Sequence, residues 1–212
     1  MAILTQGILG PVQGKTGPVV SYIRFGQNVT RAKDGTAKNR IETPARKIQR
    51  EMIAVCNHFT RAFSGTGFFN KSFPAYVHPG SGYNRATSSI MNLAIINNSV
   101  IAIAWQKVQI SKGAIAPVAY AAASKTPEGD VQFSWTDNSG DGTAKKNDRA
   151  IMVAYFPTSG EAMYAFSGAE RKDKQAILKM GGKMETAQTW LGFLSADESN
   201  AANSMYCGSV EI

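Results

Sequence analysis

RAKDGTAKNRIETPARKIQREMIAVCNHFTRAF, Arg31–Phe63, is the stretch from which the rest of the chain is read. It opens as a polar, basic run without a hydrophobic period. From Thr43 onward the pattern changes. Thr43 suits an N-cap, and Pro44 suits the first helical position, where a missing N–H costs nothing. Ile48, Met52, Val55, Cys56, Phe59 and Phe63 then recur on one side at helical spacing, with Arg46, Arg50, Asn57 and Arg61 on the other. The spacing predicts a helix that docks on a core and shows a basic stripe outward.

Upstream, residues 1–30 are glycine-punctuated and β-like. PVVSYIRF and NVTRAK predict a hairpin turning at Gly26-Gln27, with glycine in the first turn position. The preceding AILTQGILGPV reads as an extended arm able to join a neighbour's sheet edge. Downstream, Ser64-Gly65 stops the helix. The aromatic loop GTGFFNKSFPAYVHPGSGYN follows, and a second helix is predicted from about Ser81 to Asn97. Phe68, Phe69, Phe73 and Tyr76 read as a cluster sealing the first helix to the hairpin rather than as a base-stacking platform.

Beyond Ala116-Pro117 the chain breaks into short apolar runs separated by Gly, Asn, Asp and Ser: VAYAAAS, DVQFSWT, RAIMVAYF, EAMYAFS, KQAILKM, TAQTWLGFLS and NSMYCGSVEI. No helical period supplies the crossovers that a parallel sheet needs. The expected fold is therefore α+β, mainly β. An N-terminal hairpin plus two helices (1–117) precedes a C-terminal immunoglobulin/fibronectin-like antiparallel β-sandwich (118–212).

The chain of 212 residues is 43% hydrophobic, too apolar for general disorder, and carries a net charge of +8. Residues 1–80 hold 11 Lys and Arg against 3 acids, while the rest sums to zero, so the whole excess lies at the front. That asymmetry points to a polyanion or an acidic partner surface. The candidate contacts are Arg31, Lys33, Lys38, Arg40, Arg46, Lys47, Arg50 and Arg61. No apolar run approaches the roughly 20 residues of a membrane span. The start lacks the pattern of a secretory signal, so the reading is cytosolic.

Several motifs invite chemistry and fail on spacing. GPVQGKT, Gly10–Thr16, has three residues between its glycines where a phosphate loop needs four, and Gly17-Pro18 bars the following helix. Asp137, Ser139, Asp141 and Asp148 sit at calcium-loop positions, but between strands and beside Lys145 and Lys146. A polar inter-strand loop is the simpler reading. His58 and His78 are the only histidines, and Cys56 and Cys207 the only cysteines, which read as buried free thiols. No catalytic set converges, and nothing calls for a cofactor.

Taken in order, GILGPVQGKTGPVVSYIRFGQNVTR, IETPARKIQR, SGYNRATSSIM, KVQISKGAI, FSWTDNSGDGTAKKNDRAIMVAYFP and NSMYCGSVEI resemble an uncharacterised family common in Bacteroidota and the phages that infect them. Phe25 stands near a place where that family usually has tryptophan, and Asn39–Pro44 replaces its usual asparagine-proline-arginine-threonine-proline. The resemblance implies no activity. It implies a non-enzymatic assembly protein, made in the bacterial cytoplasm and carried in the virion if phage-encoded. The expected function is therefore a structural protein, a capsid or tail subunit. It would self-associate through its basic N-terminal region and face phage genomic nucleic acid. The alternative is a nucleic-acid-binding protein using the same arm and helix.

Overall fold

The computed structural model describes residues 2–4, 10–24, 26–33, 42–74, 80–98 and 100–212. They form two compact units, residues 1–47 and 48–212. The architecture is mainly β, with three α-helices and antiparallel sheets. The Ala116-Pro117 boundary expected from sequence lies inside the second unit.

The first unit is a four-stranded meander of β1 (Ala2–Leu4), β2 (Val12–Thr16), β3 (Val19–Arg24) and β4 (Gln27–Ala32), each strand antiparallel to the next. β-Branched residues at Val12, Val19, Val20, Ile23, Val29 and Thr30 suit the pleated backbone. Two expectations are corrected. Arg24 pairs with Gln27, so Gly26, at φ +77°, is the second connecting residue rather than the first. The predicted free arm is not free, because Ala2 pairs with Gly14 and Leu4 with Val12. The leading strand pairs with β2 along one edge and forms an outer edge of the sheet.

Helix α1 (Pro44–Arg61) starts where the sequence predicts, with the Arg46 amide donating to Thr43 Oγ1 at 3.4 Å. The helical region holds three helices rather than two, since Phe68–Ser72 forms the short α2 before α3 (Gly82–Leu93). Ser81 caps α3 by accepting from the Asn84 amide at 3.2 Å. Strand β5 (Ile95–Asn97) takes the residues that the sequence reading gave to the end of the second helix, and it pairs with β6 (Ile101–Ile103), within the stretch SVIAIAWQKVQISKG that reads as one or two strands.

The seven strands expected beyond Pro117 all form: β7 (Ala121–Lys125), β8 (Val131–Trp135), β9 (Arg149–Phe156), β10 (Glu161–Glu170), β11 (Gln175–Leu178), β12 (Thr186–Leu194) and β13 (Met205–Glu211). They sort into a sheet ordered β10-β9-β12-β13 and another ordered β11-β8-β7.

Strand β9 explains how the second unit holds together. Its side chains alternate between two cores. Ala150, Met152, Ala154 and Phe156 join Val131, Phe133, Trp135, Leu191 and Phe193 between the sheets. Ile151, Val153 and Tyr155 join Cys56, Phe59, Phe63, Phe68, Phe69 and Ile90 beneath the helices. The helices are thus the third layer of the strand-rich body. Phe59 sits at the centre of their seam, its ring 4.8 Å from Tyr155, 5.5 Å from Phe63 and 6.0 Å from Trp190. Each such pair adds roughly 0.5–1.5 kcal/mol beyond burial. Phe68, Phe69 and Phe73 are buried, as packing requires, and Phe68 meets Tyr164 and Phe166 of β10. Tyr76 lies outside the described residues.

Candidate interaction surface

The residues of the N-terminal sheet divide by pleat. On β3, Val19, Ser21 and Ile23 alternate with Val20, Tyr22 and Arg24. Register extends each set across the sheet. Ser21 lies opposite Gly14 and Thr30, and Val19 opposite Thr16 and Ala32. Val20 lies opposite Lys15 and Arg31, Tyr22 opposite Val29, and Arg24 opposite Gln27. One face of β2–β4 is therefore uncharged. The other carries every charged side chain of those strands, Lys15, Arg24 and Arg31, with no acid among them. The Arg31 guanidinium lies over the Tyr22 ring, 6.0 Å from its centre.

Among residues 10–24, 26–33 and 42–47, no hydrophobic side chain is buried. Ile23 is 46% exposed, and within those residues the one buried side chain is Ser21, whose Oγ shares a hydrogen bond of 3.0 Å with Thr30 Oγ1. A three- or four-stranded sheet draws stability from a packed apolar face. On β2–β4 that face is only partly covered: Val12 and Val19 are half-buried, and Thr16, Ile23, Thr30 and Ala32 are exposed. Residues 1–47 also hold eight Lys and Arg and two acids, which is +6 of the chain's +8.

Helix α1 carries the other candidates. Arg46, Lys47, Arg50 and Arg61 are all exposed, and Arg46, Arg50 and Arg61 share one stripe. The apolar face predicted opposite them is only half used. Cys56, Phe59 and Phe63 are buried and Met52 and Val55 half-buried, but Ile48 is 39% exposed. The helix meets the β9 layer only in its second half. Lys33 is exposed beside β4, while Lys38 and Arg40 lie outside the described residues. Sequence reading thus named Arg31 and the helical set but missed Lys15, Tyr22 and Arg24. Their alternation was visible; the register that aligns them across three strands was not.

The loop from Asp137 to Asp148, between β8 and β9, is organised by an arginine. Arg171 is fully buried, and its Nε and Nη2 each lie 3.3 Å from Asp148 Oδ2. Its Nη1 donates to Asn138 Oδ1 at 2.6 Å and its Nη2 to the Ala116 carbonyl at 3.2 Å, while the guanidinium stacks 4.1 Å from the Phe193 ring centre. Burial pulls the Arg171 pKa down, and Asp148 draws it back up. The carboxylate at calcium-loop position twelve is therefore committed to a cation of the protein itself. Asp137 Oδ1 accepts from the Ser139 amide at 2.9 Å and from its hydroxyl, a local turn. Asp141 is exposed. Among the described residues, no group of three or more His, Cys, Asp or Glu side chains is placed to hold a metal ion.

GPVQGKT forms strand β2 and its approach, not a loop opening a helix. Both cysteines are free thiols. Burial pushes Cys56 up to about 11 and Cys207 up to about 12, which keeps them protonated and unreactive. His58 Nδ1 lies 3.3 Å from the Tyr155 hydroxyl, an edge contact of the helix seam; His78 lies outside the described residues. Among the described residues, no helix is long and apolar enough to cross a membrane.

One family model matches the chain, over residues 9–208, and its description is a family of unknown function, DUF6266. Neither the curated proteins nor the solved structures give a match.

Proposed function

The chain belongs to the family of unknown function DUF6266, and from that premise we propose a non-enzymatic assembly protein that self-associates through residues 1–47. The single observation that carries this reading is the open uncharged face of the N-terminal sheet. Val19 and Ile23 of β3 lie on it with Ser21 between them and Gly14, Thr16, Thr30 and Ala32 beside them, and of these only Ser21 is buried. A second copy of the same face supplies what one chain lacks, an apolar layer about 10 Å away across a sheet-on-sheet contact. Association proceeds face to face, through the apolar side chains of β3 that one chain leaves uncovered.

The second unit serves as the rigid body. Its seven strands, sorted β11-β8-β7 and β10-β9-β12-β13, support an immunoglobulin/fibronectin-like sandwich with the fourth strand moved to the second sheet. The proposed setting is a phage virion, as a capsid or tail subunit, and this rests on the sequence resemblance alone. The cationic face stays outward in such a pair.

Size-exclusion chromatography with light scattering tests the reading. The full chain is expected as a homo-oligomer, and Val19→Lys with Ile23→Lys is expected to yield a folded monomer of unchanged near-ultraviolet dichroism. A wild-type chain that stays monomeric at the highest attainable concentration overturns it.

A further inference from the structure

We infer that the charged face of the N-terminal sheet is a binding surface for single-stranded nucleic acid, with Lys15, Arg24 and Arg31 meeting phosphates and Tyr22 offering a stacking plane. The placement comes from register. Lys15 and Arg31 flank Val20 on the neighbouring strands, so their Cα atoms lie about 10 Å apart, twice the inter-strand spacing. Tyr22 and Arg24 follow along β3 at steps of about 6.8 Å. An aromatic ring thus stands within a triangle of three cations on one pleated face.

Charge complementarity selects the occupant. Among their own side chains, β2–β4 place Lys15, Arg24 and Arg31 and no acid on this face, within a unit of net +6. A ligand that suits it carries regularly spaced negative charge and planar faces together, which describes a nucleotide chain. Single-strand binders combine a cationic track with aromatic platforms, and bases stack on arginine planes as well as on rings. Tyr22 and Arg31, whose guanidinium lies 6.0 Å from the ring centre, offer both. The open face of a sheet does not enter a duplex groove as a helix or a two-stranded ribbon would. Gln27, opposite Arg24 on the same face, adds an amide that can meet a base edge.

This surface is distinct from the face proposed for self-association, so the two readings fail separately. The Ile23→Lys variant, if monomeric, should still bind.

The test is fluorescence anisotropy of labelled oligo-dT and oligo-rU with the full chain over a range of salt. Three phosphate contacts on a single strand predict a log–log salt slope of about −2. Lys15→Glu with Arg31→Glu should weaken binding at least ~10-fold and flatten the slope. Tyr22→Ala should weaken it at least ~5-fold and leave the slope unchanged. The inference is overturned if neither oligonucleotide binds, or if the sheet variants bind like wild type. It is also overturned if Arg46→Glu with Arg61→Glu on α1 abolishes binding instead, which would place the contact on the helix. Equal binding of polyglutamate would reduce the surface to charge alone, and binding of phosphatidylserine vesicles without oligonucleotides would make it a membrane contact. Either result rejects the proposal.

Discussion

Arg171 shows what a single residue can do that no pattern announces. It stands in GAERKDKQ, between the predicted strands EAMYAFS and KQAILKM, and it is wholly buried. Its partners are Asp148, Asn138 and the Ala116 carbonyl, 23, 33 and 55 residues away in sequence. Only the closed fold brings them together. Removing one member of such a pair strands a buried charge, so Asp148→Ala is expected to cost about 3–5 kcal/mol. Replacing both, Asp148→Leu with Arg171→Met, should cost far less. Urea unfolding measures each, and an Asp148→Ala protein as stable as wild type would refute the role given to the pair.

Asp197, in the loop between β12 and β13, gives a pH signature. The hydroxyls of Ser195 and Ser199 and the Ser199 amide hold its carboxyl at about 2, below an ordinary value of 3.8. A depressed folded value favours the folded state above the unfolded pKa, and that contribution is lost as pH falls through the folded one. Stability should therefore decline from pH 3.8 to about 2 in part through this group. Asp197→Asn should remove that part of the slope. Parallel profiles of urea midpoint against pH would show the group to be inert.

At the level of elements, the strands were legible and their neighbours were not. DVQFSWT announces itself because Val131, Phe133 and Trp135 alternate with polar residues, and all three are buried. RAIMVAYF was readable as a strand, but its unbroken apolar run has a further meaning, that both faces are covered. The layer covering its second face lies 50 to 100 residues earlier, on α1–α3. Helix α2, only five residues long, leaves too few positions for a period to show. Its contact with α3 is backbone to backbone: a Cβ at Gly82 would lie 1.9 Å from the Phe69 carbonyl oxygen. Gly82→Ala must push the two helices apart and is expected to cost about 1–3 kcal/mol, read as a lowered Tm. A variant melting with wild type would mean that the seam yields freely.

For the whole molecule, the sequence disclosed the charge asymmetry and concealed the partition. The positive excess at the front was countable from the residues alone. That the division falls at residues 47 and 48 depends on which strands the helices cover, and so on contacts far apart in sequence. Ala116-Pro117, which looked like a linker, lies in a body cross-linked by Ile115 pairing with Ala202 and by the Ser111 hydroxyl donating to the Ala202 carbonyl at 2.8 Å. The expected arm was misread because a three-residue strand pairing with β2 leaves no trace in composition. What persists is a small cationic sheet whose strands β2–β4 bury no apolar side chain, followed by a larger unit with two cores.

Hydrogen exchange at the β2–β4 amides, followed as the full chain is diluted, tests that central claim most directly. Protection between Val12 and Ala32 should fall on dilution, as the second copy that completes the sheet departs, while β9 and β12 remain protected. Protection of the N-terminal strands that is high and independent of concentration would contradict the account, because the sheet would then be stable without a partner.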